Sequence, residues 1–121
     1  MILVDSSVWI DHFRSGEPGL IGWLEAGRVL THPFVIGELA LGSLRGRQAI
    51  LTMLSDLPAG VVASDQEVLH MIDRQALHGQ GIGYVDTHLL ASVRLTPKAL
   101  LWTRDRRLAS VAAQLGVALA T

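Results

Sequence analysis

The chain contains no cysteine, which excludes disulfides, thiol catalysis and zinc–thiolate centres together and fits a reducing compartment. Lysine is nearly absent as well: nine of the ten basic residues are arginine, and Lys98 is the exception. Arginine's planar fork suits phosphate and carboxylate, although a biased source genome produces the same count. No apolar run reaches the ~18 residues that a membrane span requires. No basic stretch precedes the first apolar run and Asp5 interrupts it, so no signal peptide is expected and a soluble cytoplasmic protein is the default. Charge of one sign is not in excess: the formal net charge of −1 argues against an obvious nucleic-acid binder. The five histidines include no HExxH-like pair, which disfavours a zinc-hydrolase site. "GQGIG" at 79–83 follows a helical pattern rather than a strand, so it reads as a helix stop and a loop.

What is present is apolar. Half of the 121 residues are hydrophobic, enough for one domain over 1–121 with a core that needs no staples. Short apolar runs at 2–5, 28–32, 60–63, 99–102 and 117–120 read as five strands. Helical patterns fill the gaps: SVWIDHF, GLIGWLEAG, Pro33 to about Leu44, and roughly 46–57. Ser64 with Glu67 forms a capping-box pattern that launches a helix of about fifteen residues, followed by YVDTHLLASVRL and DRRLASVAAQLG. Strands alternating with amphipathic helices predict an α/β fold with a parallel sheet covered on both faces. Ligands in such folds gather beyond the carboxyl ends of the strands. Asp5 lies at the carboxyl end of the first strand, and Asp105 just beyond that of the fourth.

Each acid has an ordinary reading. Asp5 and Asp105 suit helix N-caps, and Asp86 suits a cap or the positive end of its helix. Glu38 stands in "PFVIGELALGSL", on a solvated stripe or aimed at a site. If the four converge, their repulsion must be relieved by protons or by a cation, since two charges ~4 Å apart repel by roughly 4 kcal/mol at an effective dielectric of 20. All-oxygen ligation favours Mg²⁺ or Mn²⁺ over zinc. Such ions activate water for hydrolysis at phosphorus.

Four segments carry a family resemblance, in order, over essentially the whole chain. "ILVDSSVWID", "FVIGELALG", "IGYVDTHLLAS" and "LWTRDRRLA" resemble the acid-bearing segments of PIN-domain ribonucleases, especially toxins of the VapC type. The resemblance implies a three-layer α/β/α sandwich with a central, mostly parallel sheet, and Mg²⁺- or Mn²⁺-dependent cleavage of RNA. It implies that Asp5 and Asp86 are the firmest metal ligands, that Glu38 supports the metal or its water, and that Asp105 contributes directly or through water. Ser7 and Thr103 fall where the family has hydroxyls lining the site, or they serve only turn hydrogen bonds. Arg104, Arg106 and Arg107 offer phosphate contacts, or line a solvated first turn. A homodimer and a small VapB-like antitoxin, inserting a basic side chain into the acidic pocket, complete the expectation.

Two residues depart from the pattern. Thr87 follows the third acid where a small apolar residue is commoner. Arg107 stands where some relatives carry another acid, which favours one metal in the free protein and a second arriving with RNA. Two alternatives stay open: a receiver-like signalling domain, which lacks its paired acids, acceptor and lysine here, and a non-catalytic RNA-binding or scaffold module. Trp9, Trp23 and Trp102 read as core or dimer contacts, with base stacking as the other use. His88, two residues from Asp86, reads as a surface or packing residue.

Overall fold

A computed structural model describes residues 1–120. The chain runs β1 (Ile2–Val4), α1 (Ser6–Ser15), α2 (Pro18–Glu25), β2 (Val29–Leu30), α3 (Pro33–Ala40), α4 (Arg47–Asp56), α5 (Asp65–Arg74), α6 (Tyr84–Leu95), β3 (Leu100–Trp102) and α7 (Arg106–Gln114). All strand pairs are parallel, in the order β2-β1-β3, with Leu3 opposite Leu30 on one side and Leu101 on the other. A parallel bridge between Thr31 and Ala59 extends one side, and another between Leu101 and Ala118 extends the other. The central strand is therefore the first one, which explains its unbroken apolar run: Ile2, Leu3 and Val4 are buried on both faces.

The direction of the connections sets the layers. From β1 the chain moves outward through β2 to Ala59, then crosses back over β1 to β3 and on to Ala118. Right-handed crossovers then put α1–α4 on one face and α5–α7 on the other. The packing agrees: α1 lies on α3, α3 on α4, α5 on α6, while α6 and α7 pack on β3. Between β1 and β3 the connections depart in opposite senses, and that is the crevice where open α/β sheets bind ligands.

Two expected strands shrink. The 60–63 run joins the sheet only at its start, where the Gly60 N–H donates to the Thr31 carbonyl (2.9 Å) beside the Thr31–Ala59 bridge; the Val61 N–H then turns away to the Thr96 hydroxyl (2.9 Å). Val61 and Val62 are consequently exposed. The 117–120 run contributes only Ala118, held by bonds on either side of Leu101. Two helices are also shorter than their patterns. α3 stops at Ala40, leaving Leu41 91% exposed, and α5 stops at Arg74. Ala76 takes the left-handed conformation (φ 51°), and Leu77 N donates back to the Ile72 carbonyl in a Schellman-type closure. The Ser64–Glu67 capping box is complete, with both reciprocal hydrogen bonds made.

Candidate active site at the sheet edge

Asp5 holds the N-cap position of α1, with extended backbone, yet its carboxylate makes no capping bond. It turns instead toward the end of β3. The Ser7 hydroxyl donates to Asp5 Oδ2 at 2.6 Å and the Thr103 hydroxyl donates to the same oxygen at 2.9 Å. Each hydroxyl in turn accepts a backbone N–H, Ser7 from Arg104 (3.0 Å) and Thr103 from Asp105 (3.1 Å). A hydroxyl has one proton, so both are committed to Oδ2 and the orientation of the carboxylate is fixed. Oδ1 accepts no hydrogen bond among the described residues, although Asp5 is only 5% exposed. A nearly buried carboxylate with one oxygen left without a donor is suited to a cation.

Asp105 gives the opposite result. Its Oδ1 accepts from the backbone N–H of Arg107 (2.9 Å) and Leu108 (3.0 Å), a working cap for α7. Only its other oxygen is available to the crevice. Asp86 lies in the first turn of α6, behind the N-cap Gly83. Burial raises its pKa, the Asp5 and Asp105 carboxylates raise it further, and the Gly83 N–H opposes them. Glu38, on α3, is raised first by the drying effect of surrounding protein, then by Asp5 and by Asp86, with Ser6 opposing. Glu38 is open to solvent on one side, so the crowding is partial. Ser6 donates to Glu38 Oε1 across 3.4 Å, a contact that the sequence did not suggest.

The four acids therefore share one electrostatic field at the crevice between β1 and β3. Among the described residues no three histidine, aspartate or glutamate side chains close to ligand spacing around one point, so the site is not a preformed cage. The donor set nevertheless fits a hard divalent cation. It is all oxygen, mutually repelling and incomplete, leaving positions for water and phosphate oxygens.

The arginines separate. Arg104 is bound to protein: its guanidinium pairs with Asp11 (3.2 Å) and with Glu17, and lies 5.7 Å from the Trp102 ring. Arg106 is exposed. Arg107 lies across the 79–83 loop, where Gly81 (φ +79°) leaves room for it; a Cβ there would stand 2.8 Å from Arg107 Cδ. Neither Arg106 nor Arg107 pairs with a carboxylate among the described residues. Thr87 is buried and its hydroxyl donates to the Gly83 carbonyl (2.8 Å), which accommodates a polar residue at that position.

Next to the acids, on the same edge, is a cluster that sequence reasoning missed. His32 follows β2 and caps α3, its Nδ1 accepting from Phe34 N (3.1 Å). Burial, and then the nearby His88, pushes the His32 pKa down to about 4, which keeps Nδ1 unprotonated for that role. His88 is a packing residue, 2% exposed, with Nε2 3.1 Å from Asp65 Oδ1. Trp9 and Trp102 are core residues, and Trp23 is half-buried, 5.8 Å from the Arg28 guanidinium.

A family model for the PIN domain matches residues 2–114. This chain belongs to the PIN-domain family. Among curated proteins it is similar to Ribonuclease VapC32 of Mycobacterium tuberculosis, from strain CDC 1551 / Oshkosh and from strain ATCC 25618 / H37Rv. Identity to each is 48% over 120 residues, covering 99% of this chain and 97% of the relative. PIN membership removes the receiver-like alternative and agrees with the parallel α/β architecture.

Proposed function

We propose that this PIN-domain protein is an endoribonuclease that hydrolyses RNA phosphodiester bonds with Mg²⁺ or Mn²⁺, and that it acts as the toxin of a VapBC-type pair in the cytoplasm. The observation that carries the reading is Asp5: an acid at a cap position that does not cap, locked by two hydroxyls, with one oxygen free. The near-full-length likeness to a protein named a ribonuclease supports the substrate class.

In this reading Asp5, Asp86 and Asp105 are the residues that would hold the cation, Asp5 through its free Oδ1. A divalent ion bound there supplies positive charge that acidifies water and draws electrons from a phosphate. Ser7 and Thr103 orient Asp5 and prevent it from rotating into the cap. Glu38, with Oε1 occupied by Ser6 and its pKa raised, takes the proton of the attacking water at Oε2. Water attacks in line with the leaving ribose oxygen, the P–O bond breaks as the new one forms, and the departing alkoxide takes a proton from solvent, so no covalent enzyme intermediate forms. The antitoxin is a small protein that inserts a basic side chain among the acids; a groove of about 410 Å³ lies beside Glu38, lined also by Phe13, Ile50, Arg14 and Arg45. The free toxin is a homodimer.

The test is cleavage of single-stranded RNA by the purified chain, with Mg²⁺, with Mn²⁺ and with excess EDTA. Cleavage that needs the ion and falls at least about a hundredfold in Asp86→Asn supports the reading, since removing one charge-stabilising group commonly costs that much. Full activity in EDTA or in Asp86→Asn refutes it.

A further inference from the structure

With two tryptophans buried, the open aromatic surfaces beside the acids are Phe34 and Tyr84, 37% and 45% exposed. Both are braced. Each stands edge-to-face on the buried His88 ring with centroids 4.8 Å apart, and Phe34 also meets His32 at 5.2 Å. The Tyr84 hydroxyl donates to Asp65 Oδ1 (2.7 Å), the oxygen that also faces His88 Nε2. Exposed rings held this firmly have already lost their rotamer freedom, so stacking on them has little further ordering cost.

Their place in the fold connects them to the acids. Phe34 opens α3 one turn ahead of Glu38, and the two lie on the same face of that helix. Tyr84 opens α6 at the end that carries Asp86, with its ring on the adjoining His88 face of the helix rather than on the Asp86 face. His32 leaves β2 at the carboxyl edge from which Asp5 and Thr103 leave β1 and β3. The acidic crevice repels a polyanion, and Arg104 is neutralised by Asp11 and Glu17, which leaves Arg106 and Arg107 as the nearby unpaired cations of α7 among the described residues. Contacts that carry no charge add attraction without depending on them, and every base offers a π-face.

We infer that Phe34 and Tyr84 form a stacking shelf for one unpaired base next to the scissile phosphate, an inference that rests on the ribonuclease reading above. The chemical class of ligand is single-stranded RNA, since a paired base cannot present its face to the shelf.

The experiment is a KM-against-kcat comparison on a short unstructured RNA, and on copies made abasic at one position at a time around the cleaved bond. Phe34→Ala and Tyr84→Ala should each raise KM between about 5- and 150-fold on the intact RNA, the range of base–aromatic stacking, with kcat changed less than about threefold. Phe34→Trp should restore KM. At one abasic position the wild-type chain should bind as weakly as the variants, which should lose nothing more. Unchanged KM on intact RNA, or equal losses at every abasic position, overturns the shelf alone. Unchanged KM with a sedimentation shift to monomer overturns it in favour of a contact between copies. A wild-type chain that cuts no RNA overturns the ribonuclease reading itself.

Discussion

Asp5→Asn separates an acid that holds a cation from one that holds the fold. The amide keeps an oxygen that can accept from Ser7 and Thr103, but both bonds fall from charge-assisted to neutral, a loss of about 1 kcal/mol each. Opposing that loss, the Asp5 charge is a cause of the raised pKa of both Glu38 and Asp86. The two effects oppose one another, so metal-free stability should fall by less than the roughly 2 kcal/mol that the two weakened bonds alone would cost. Metal changes the balance. An ion at about one hundred times its Kd stabilises the wild type by about 2.7 kcal/mol, about 10 °C for a chain of 121 residues. Asp5→Asn should retain less than about 3 °C of that shift. The assay is thermal unfolding by circular dichroism in EDTA and across MgCl₂ and MnCl₂ titrations. In EDTA the sign of the pH effect is also set. A carboxyl whose pKa is raised on folding stabilises at low pH and loses that contribution as pH rises through its raised value. The contribution of Glu38 and Asp86 should therefore fall with rising pH, and Asp5→Asn should flatten the fall. A variant that keeps the full metal shift, or that loses several kcal/mol without metal, would show that Asp5 is structural.

His32 gives the opposite pH sign: with a folded pKa of about 4 against 6.5, it contributes stability above pH 6.5 that is lost as pH falls toward 4, at most about 3 kcal/mol. His32→Asn, which can still cap, should flatten urea-unfolding stability across that window; an unchanged slope refutes the assignment. A Cβ at Gly60 would stand 2.5 Å from Ser92 Oγ, so Gly60→Ala should destabilise by about 1–3 kcal/mol in the same assay, and a neutral result would mean that Ser92 moves freely. Asp105→Asn should keep the α7 cap and leave stability within about 0.5 kcal/mol, whereas Asp105→Ala should cost about 1 kcal/mol. Equal losses in the two Asp105 variants would show that its charge, rather than its cap, supports the fold.

Local sequence revealed that β1 ends on an acid, but not whether that acid caps a helix. Asp5 and Asp105 have the same local signature, and the structure gives them different bonds. The difference comes from Thr103, 98 positions from Asp5, which no local pattern connects to it. The two shortened strands show the same limit. GVVA has the composition of a strand, but the Val61 N–H is taken by Thr96 from another helix. α5 ends at Arg74 with the left-handed turn at Ala76, where the expected stop was Gly79, because the Leu77-to-Ile72 bond closes the helix without a glycine. The capping box was legible because every one of its atoms lies within four consecutive residues. Phe34 and Tyr84 were not, since one aromatic ring in a first turn means little until the sheet brings α3 and α6 to the same edge.

The position of β1 also has a consequence for biosynthesis. β1 lies at the centre of the sheet, and its Asp5 is oriented by a hydroxyl made 98 residues later; the Asp5 N–H itself bonds the Trp102 carbonyl. A ribosome must extend the chain by that much past Asp5 before the acid acquires its setting. Polypeptides released by stalled or broken messages before Thr103 should therefore lack an oriented Asp5.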